Sequence, residues 1–129
     1  MAGYAVVNLK QVEDGAARFG LAPAMEARFA RRDIGCERTG VSYQRLASGA
    51  RQAFAHRHGS DEEVYVVVAG SGQLRLGDDV VDVGRWDAVR VAPETVRMFS
   101  AGPDGLEWLA FGEHREGDAE MLPAEWPGE

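Results

Sequence analysis

Between residues 41 and 111 apolar and polar positions alternate in short runs broken by glycine, a period of two that predicts strands rather than helices. The runs fall at 41–46, 52–58, 64–68, 73–76, 80–83, 87–93, 96–99 and 106–111. The β-branched stretch 64–68 is short and nearly continuous, as a buried strand is. Gly77-Asp78-Asp79 reads as a three-residue hairpin connection, and Gly70-Ser71-Gly72 as a turn. Upstream, residues 4–7 predict a peripheral strand, and Pro23 restricts any helix to a short turn after it. Residues 26–31 fit a helix or an edge strand with its charges outward, and Arg28, Arg31 and Arg32 read as a solvated edge. Beyond residue 111 the chain turns acidic and turn-like through residue 120, then carries apolar anchors that suit a docked tail, with Trp126 covering a hydrophobic patch.

Composition narrows the partners. The chain has 129 residues, which suits one domain spanning 1–129 that needs no covalent staple. Its single cysteine, Cys36, excludes an internal disulfide and agrees with a cytoplasmic location, with no sign of redox or nucleophilic use. No apolar run approaches the ~20 residues of a membrane span, so no membrane association is expected. With 21 acidic against 14 basic residues, the net charge of -7 argues against nucleic acid as a partner.

Candidate chemistry concentrates in residues 56–70. Two of the three histidines, His56 and His58, lie two positions apart, so an extended chain points both rings to one face, where they can converge on one ion. Phe54 shares that face by parity. Glu63 follows five residues after His58, and a turn through Gly59-Ser60-Asp61 is needed to return it to the rings. Tyr65 shares the face of Glu63, where it packs in the core or lines a pocket, and Phe99 is inward by the same counting. His114 lies in a polar segment and reads as solvated.

The spacing Gly49-x6-His56-x-His58-x4-Glu63-x6-Gly70 resembles the first motif of the cupin superfamily, one residue longer in its first spacer. That resemblance selects Glu63 over Glu62 as the inward carboxylate. The stretch from Gly84 to Arg97 is similar to the second motif with two departures. Glu94 or Thr95 stands near the usual glycine, and Arg97 stands where the family places a fourth, histidine ligand. Trp86-Asp87 replaces a Gly-Asp pair common in the family, and a buried tryptophan at a barrel end or subunit contact is the plain expectation. The resemblance implies an all-β, double-stranded β-helix or jelly-roll barrel over approximately 41–111, with a short N-terminal extension and a C-terminal tail. It also implies a homodimer.

Two histidines and one glutamate inside a barrel leave coordination positions open and suit a divalent ion such as Fe, Mn, Ni or Zn. Arg97 cannot be a ligand, because a guanidinium stays protonated and offers no lone pair. Either it clamps a small anionic ligand beside the open positions, or it pairs with Glu63 and repels an incoming cation. Expected roles are metal binding for His56, His58 and Glu63, and ligand binding for Arg97, Tyr65, Phe54 and Phe99. Two functions stay open. One is metal-dependent oxidation, isomerisation or lyase chemistry on a small oxygenated acid. The other is a metal-free module that binds a sugar or carboxylate, since the fold alone does not choose.

Overall fold

A computed structural model describes residues 3–129. Eight strands follow a 3-10 turn at Leu9–Gln11 and one short helix, α1 (Gly15–Arg18): β1 (Met25–Phe29), β2 (Thr39–Leu46), β3 (Ala55–His58), β4 (Glu63–Leu76), β5 (Asp79–Gly84), β6 (Ala88–Val91), β7 (Arg97–Glu113) and β8 (Ala119–Leu122).

The organising unit is the long antiparallel pair β4 and β7, matched from Glu63↔Gly112 through Leu76↔Arg97. Its two halves belong to different layers. The half nearer Glu63 lies between β6, on the β4 side, and β2 followed by β1, on the β7 side. The other half lies between β5 on one side and β3 followed by β8 on the other. The expected all-β jelly-roll barrel is therefore the architecture observed. Its interior is filled by Leu46, Tyr65, Val67, Leu74, Val91, Phe99, Leu106 and Trp108, all buried.

Glycine makes the bend possible. Residues 70–72 were expected to reverse the chain, yet β4 runs straight through them, with register shifts between Val67 and Ala69 and between Gly70 and Gly72. Gly70 adopts φ +73°, and a Cβ there would stand 2.0 Å from the Gly105 carbonyl oxygen. At Gly72 it would stand 2.2 Å from the Ser100 carbonyl oxygen. No side chain fits at that approach, so these glycines let the ladder pass from one layer to the other while staying paired. The runs 96–99 and 106–111 are, for the same reason, the two ends of one strand.

Other local expectations change as well. Residues 4–7 form no strand. Tyr4 is 80% and Val6 90% exposed, and a short apolar run without a sheet edge to pair with has nothing to order it. The helix α1 precedes Pro23 instead of following it, with Asp14 capping it through the Ala16 amide. The ambiguous stretch 26–31 contains the edge strand β1, but Glu26, on the face away from the cavity that Ala27 lines, is covered and 8% exposed. It is stabilised there by Lys10, Arg28 and Arg45 at 2.7, 2.6 and 3.1 Å. The β4–β5 hairpin pairs Leu76 with Asp79, so its loop is two residues with Gly77 at positive φ. The run 52–58 supplies only a four-residue strand.

The acidic tail holds the strand β8, which pairs with β3 through Ala55↔Leu122 to His58↔Ala119. Trp126 lies against the Arg51 guanidinium, 4.7 Å from its ring centroid. Trp86 is not buried: it is 66% exposed, in a turn at φ +73° where the resembling motif carries glycine. No helix among the described residues is long and apolar enough to cross a membrane.

Candidate metal centre

The short strand β3 presents His56 and His58 on one face, and its two neighbours set the surroundings of the rings. His56 lies opposite Arg97 of β7 on one side and Met121 of β8 on the other. Glu63 opens β4 on the same inward face as Tyr65 and Val67. Its seat depends on Gly112, where a Cβ would stand 2.7 Å from the Glu62 carbonyl oxygen and 3.4 Å from Glu63 Cγ. Glu62 faces outward and pairs with Arg90 at 2.6 Å, so Glu63 is the inward carboxylate, as the motif spacing implies.

The donors converge. Glu63 Oε1 stands 3.3 Å from His56 Nε2 and 3.2 Å from His58 Nε2, and the three donor atoms lie within 4.8 Å of one another. The rings meet edge to face with centroids 5.2 Å apart. Two donors that share an ion at about 2.1 Å, at tetrahedral or octahedral angles, stand about 3.0 to 3.4 Å apart. The carboxylate–imidazole spacings fall in that range, so this set of two neutral nitrogens and one anionic oxygen fits a divalent ion.

Glu63 has other partners too. Oε1 accepts from the Tyr65 hydroxyl at 2.8 Å and from Arg97 Nη2 at 2.9 Å. Arg97 is completely buried, and its remaining bonds go to the Tyr65 oxygen at 3.2 Å and to the Pro93 and Thr95 carbonyls at 2.9 Å each. It stands behind Glu63 and is not among the residues that line the cavity. Of the two arrangements the sequence left open, the ion pair with Glu63 is the one observed. Arg97 reaches no rim, because three internal carbonyl and carboxylate groups hold its head.

Burial would raise the Glu63 pKa, but the bonds from His56, His58 and Tyr65 and the nearby His56 charge hold the carboxyl well below the usual range. His58 is shifted upward, chiefly by its bond to Glu63, with burial and Arg97 opposing and Asp118 assisting. Tyr65 is pushed far up by burial and the Glu63 charge, so its phenol keeps its proton.

Asp118, just ahead of β8, carries no signal in the sequence as a site residue. Its Oδ2 lies 3.2 Å from His58 Nδ1 and accepts from the Asp61 amide at 2.9 Å, while Oδ1 takes the Ser60 amide and hydroxyl at 3.0 and 2.8 Å. An Nδ1–H donated to Asp118 leaves the His58 Nε2 lone pair facing Glu63, the tautomer an ion needs. Asp61 is buried in turn and accepts from Arg115 at 2.7 Å. Asp118 was missed because it lies 60 residues along the chain from His58 and belongs to no periodic element.

His56, His58, Glu63, Tyr65, Phe54 and Phe99 all line one cavity of about 680 Å³. Phe99 stacks on Trp108 at 4.0 Å and meets Tyr65 edge to face at 5.1 Å. Phe54 was expected as inner wall; it stands at the cavity edge, 51% exposed. His114 also reaches the mouth and is 45% exposed at its side chain.

A bent two-layer barrel with a His-x-His and Glu set facing inward is the cupin fold, and comparison with solved structures bears this out. The chain is similar to a cupin protein from Bacteroides fragilis, with 21% identity over 91% of this chain and 88% of that one and a TM-score of 0.71. It is similar to the polyketide cyclase RemF from Streptomyces resistomycificus, with 18% identity over 96% and 87% and a TM-score of 0.75. It is also similar to oxalate decarboxylase from Bacillus subtilis, with 20% identity and a TM-score of 0.74. There, 92% of this chain matches only 33% of that protein. No protein-family model matches the chain, and no curated protein matches it. At these identities the likeness carries the fold and not the reaction.

Proposed function

We propose that this chain is a divalent-metal-binding barrel whose ligands are His56, His58 and Glu63, and that it acts on an oxygen-bearing small molecule in the adjoining cavity. The observation that carries this is the convergence of the two imidazole Nε2 atoms on Glu63 Oε1 at 3.2 to 3.3 Å. When bound, the ion supplies Lewis-acid polarisation of a substrate oxygen, a step common to oxidation, isomerisation and lyase reactions. The similar folds of a polyketide cyclase and an oxalate decarboxylase are compatible with such use.

The chain's own groups have defined tasks. Asp118 orients His58 through Nδ1, and Arg97 and Tyr65 orient Glu63 through Oε1. Tyr65 keeps its proton and serves as a donor, never as a base, at neutral pH. Asp61 is engaged by Arg115. The interior thus offers little spare acid–base capacity, which suits chemistry driven by polarisation. Phe99 and Trp108 exclude water from the inner wall.

The Arg97–Glu63 pair favours a second reading, a metal-free module that binds a sugar or carboxylate, because it already neutralises the carboxylate. Untagged protein, stripped with EDTA and titrated with Mn(II), Fe(II), Ni(II) and Zn(II), separates the two. One ion per chain, lost in His56→Ala/His58→Ala, is expected. No uptake of any of the four leaves the metal-free module.

A further inference from the structure

The cavity is lined at its mouth by apolar groups far larger than a small acid needs. Among the described residues ten large apolar side chains stand exposed, and four of them face this one cavity: Phe19, Phe29, Phe54 and Met121, between 51% and 79% exposed. They come from α1's end, β1, the approach to β3, and β8, so four separate segments converge on one opening. Singly exposed apolar residues are ordinary, but a contiguous ring of them marks a binding surface. The ring leads inward to Phe99 stacked on Trp108, and from there to the imidazole–carboxylate set. At about 680 Å³ the space is in the range of a drug-sized molecule. A two-carbon diacid would leave most of it empty.

Two unpaired polar atoms refine the picture. The only buried side-chain nitrogens without a partner among the described residues are Trp108 Nε1 and Arg31 Nε, and both residues line this cavity. The other lining arginines are paired, Arg18 with Glu13 and Arg115 with Asp61, whereas Arg31 has no ion pair among the described residues. Neither nitrogen has open surface, so what the cavity offers an acidic ligand is the charge of the Arg31 guanidinium as a whole, which no described carboxylate pairs.

We propose that the cavity takes a flat aromatic molecule with two adjacent oxygen donors at one end, directed at His56, His58 and Glu63, and an acidic group that pairs with Arg31. The donor end rests on the metal reading above; the aromatic body and the anion contact with Arg31 do not. A small molecule is the occupant because the apolar ring is concave and continuous with a polar floor. The anion contact expected of Arg97 thereby moves to Arg31, a cavity-lining residue with no ion pair among the described residues.

The test uses the full chain loaded with Zn(II), which adds no redox chemistry, and isothermal titration of three probes. These are 6,7-dihydroxynaphthalene-2-sulfonate, uncharged 2,3-dihydroxynaphthalene and oxalate. Both naphthalenediols are expected to bind at least ten-fold tighter than oxalate. Arg31→Met should weaken the sulfonate about five-fold or more and leave the uncharged diol unchanged. Phe29→Ser should weaken both, with one ion still taken up per chain. Oxalate binding as tightly as the diols, or indifference to both substitutions, overturns the proposal. So does a dimer, seen by sedimentation, that Phe29→Ser dissociates, since a second copy would then cover the mouth. Diol binding equal with and without Zn(II), but still sensitive to Phe29 and Arg31, removes the metal reading and keeps the aromatic ligand.

Discussion

Arg97→His replaces the cation behind Glu63 with a neutral donor, and its two opposing effects can be sized from the contacts. The guanidinium bonds to the Pro93 and Thr95 carbonyls, to Tyr65 and to Glu63, all within a site it occupies with no exposure. Histidine is too short to keep both carbonyls. Hydrogen bonds from a charged donor contribute about 1.5 to 3 kcal/mol each, and breaking a buried ion pair costs about 3 to 5 kcal/mol. With one carbonyl bond and the ion pair gone, the metal-free variant should therefore lose about 5 to 8 kcal/mol, as much as the whole stability of a marginal domain at about 5 kcal/mol.

Metal affinity should move the other way. At a separation of about 4 Å and an effective dielectric of about 20, a guanidinium repels each unit of charge on an ion by about 4 kcal/mol. Glu63 and bound water offset much of this. Even about 2.7 kcal/mol recovered is a hundred-fold gain in affinity. Chelator competition with Zn(II) measures the affinity, and circular dichroism melts with and without Zn(II) measure the stability. Arg97→Met separates charge from ligation, because it removes the cation without adding a nitrogen, and should give a smaller gain. The expected pattern is a weaker apo protein whose melting temperature recovers when saturated with metal. A lower melting temperature with unchanged Zn(II) affinity in both variants would refute the claim that Arg97 opposes the ion.

Three further outcomes follow from other parts of the structure. Asp118→Ala should lower metal affinity about 10- to 100-fold by freeing the His58 ring, and should speed hydrogen exchange at the Ser60 and Asp61 amides it now accepts from; wild-type affinity in this variant rules out the orienting role. Gly70→Ala places a Cβ 2.0 Å from a carbonyl oxygen at a positive φ and should cost more than about 3 kcal/mol, read as a fall of about 10 °C or more in the melt. The Glu26 pKa, which burial alone would raise, is lowered to about 2 by the bonds from Lys10, Arg28 and Arg45. The native state then binds fewer protons than the unfolded chain, so this stabilisation is present above about pH 4.5 and is lost as pH falls toward about 2. Glu26→Gln should cost about 1 to 3 kcal/mol near pH 7, with the two melting curves converging in acid; curves that stay parallel contradict the assignment.

The parts of the site that the sequence made legible are those encoded by strand parity. His56 and His58 share a face because their spacing is two, and Tyr65 shares the face of Glu63 for the same reason, although it took the motif resemblance to choose Glu63 over Glu62 as the inward carboxylate. Parity also turned Phe99 inward, where it is buried. It gave no view of what lies beyond a strand's own residues. Asp118 acts through one carboxylate in an acidic turn, and its neighbours Gly117 and Glu116 resemble ordinary surface. The strand β8 was hidden because its four residues include just two large apolar ones, and Met121 is 65% exposed. Ladder hydrogen bonds to β3 and the Arg57–Glu120 pair at 2.8 Å hold it instead. The Gly70–Gly72 bend was misread as a turn because glycine marks both a reversal and a close backbone approach. Only the neighbouring strand distinguishes them.

These two kinds of information meet at β3. Its four residues lie between β7, which brings a cation to Glu63, and the β8 segment, which brings a carboxylate to His58. Arg97 and an incoming ion compete for the same carboxylate oxygen, since Oε1 is the atom nearest both imidazoles and the guanidinium. Asp118 adds negative charge on the far side of His58 and favours the cationic occupant, while Arg97 disfavours it. The two effects act on different ligands, His58 and Glu63, and from different segments, the turn before β8 and the start of β7. Their balance sets occupancy, so Asp118→Ala and Arg97→Met should shift metal affinity in opposite directions. In the double variant the shifts should nearly cancel if the two groups act independently. A double variant as weak as Asp118→Ala alone would mean that His58 orientation, and not the charge on Glu63, decides whether an ion is held.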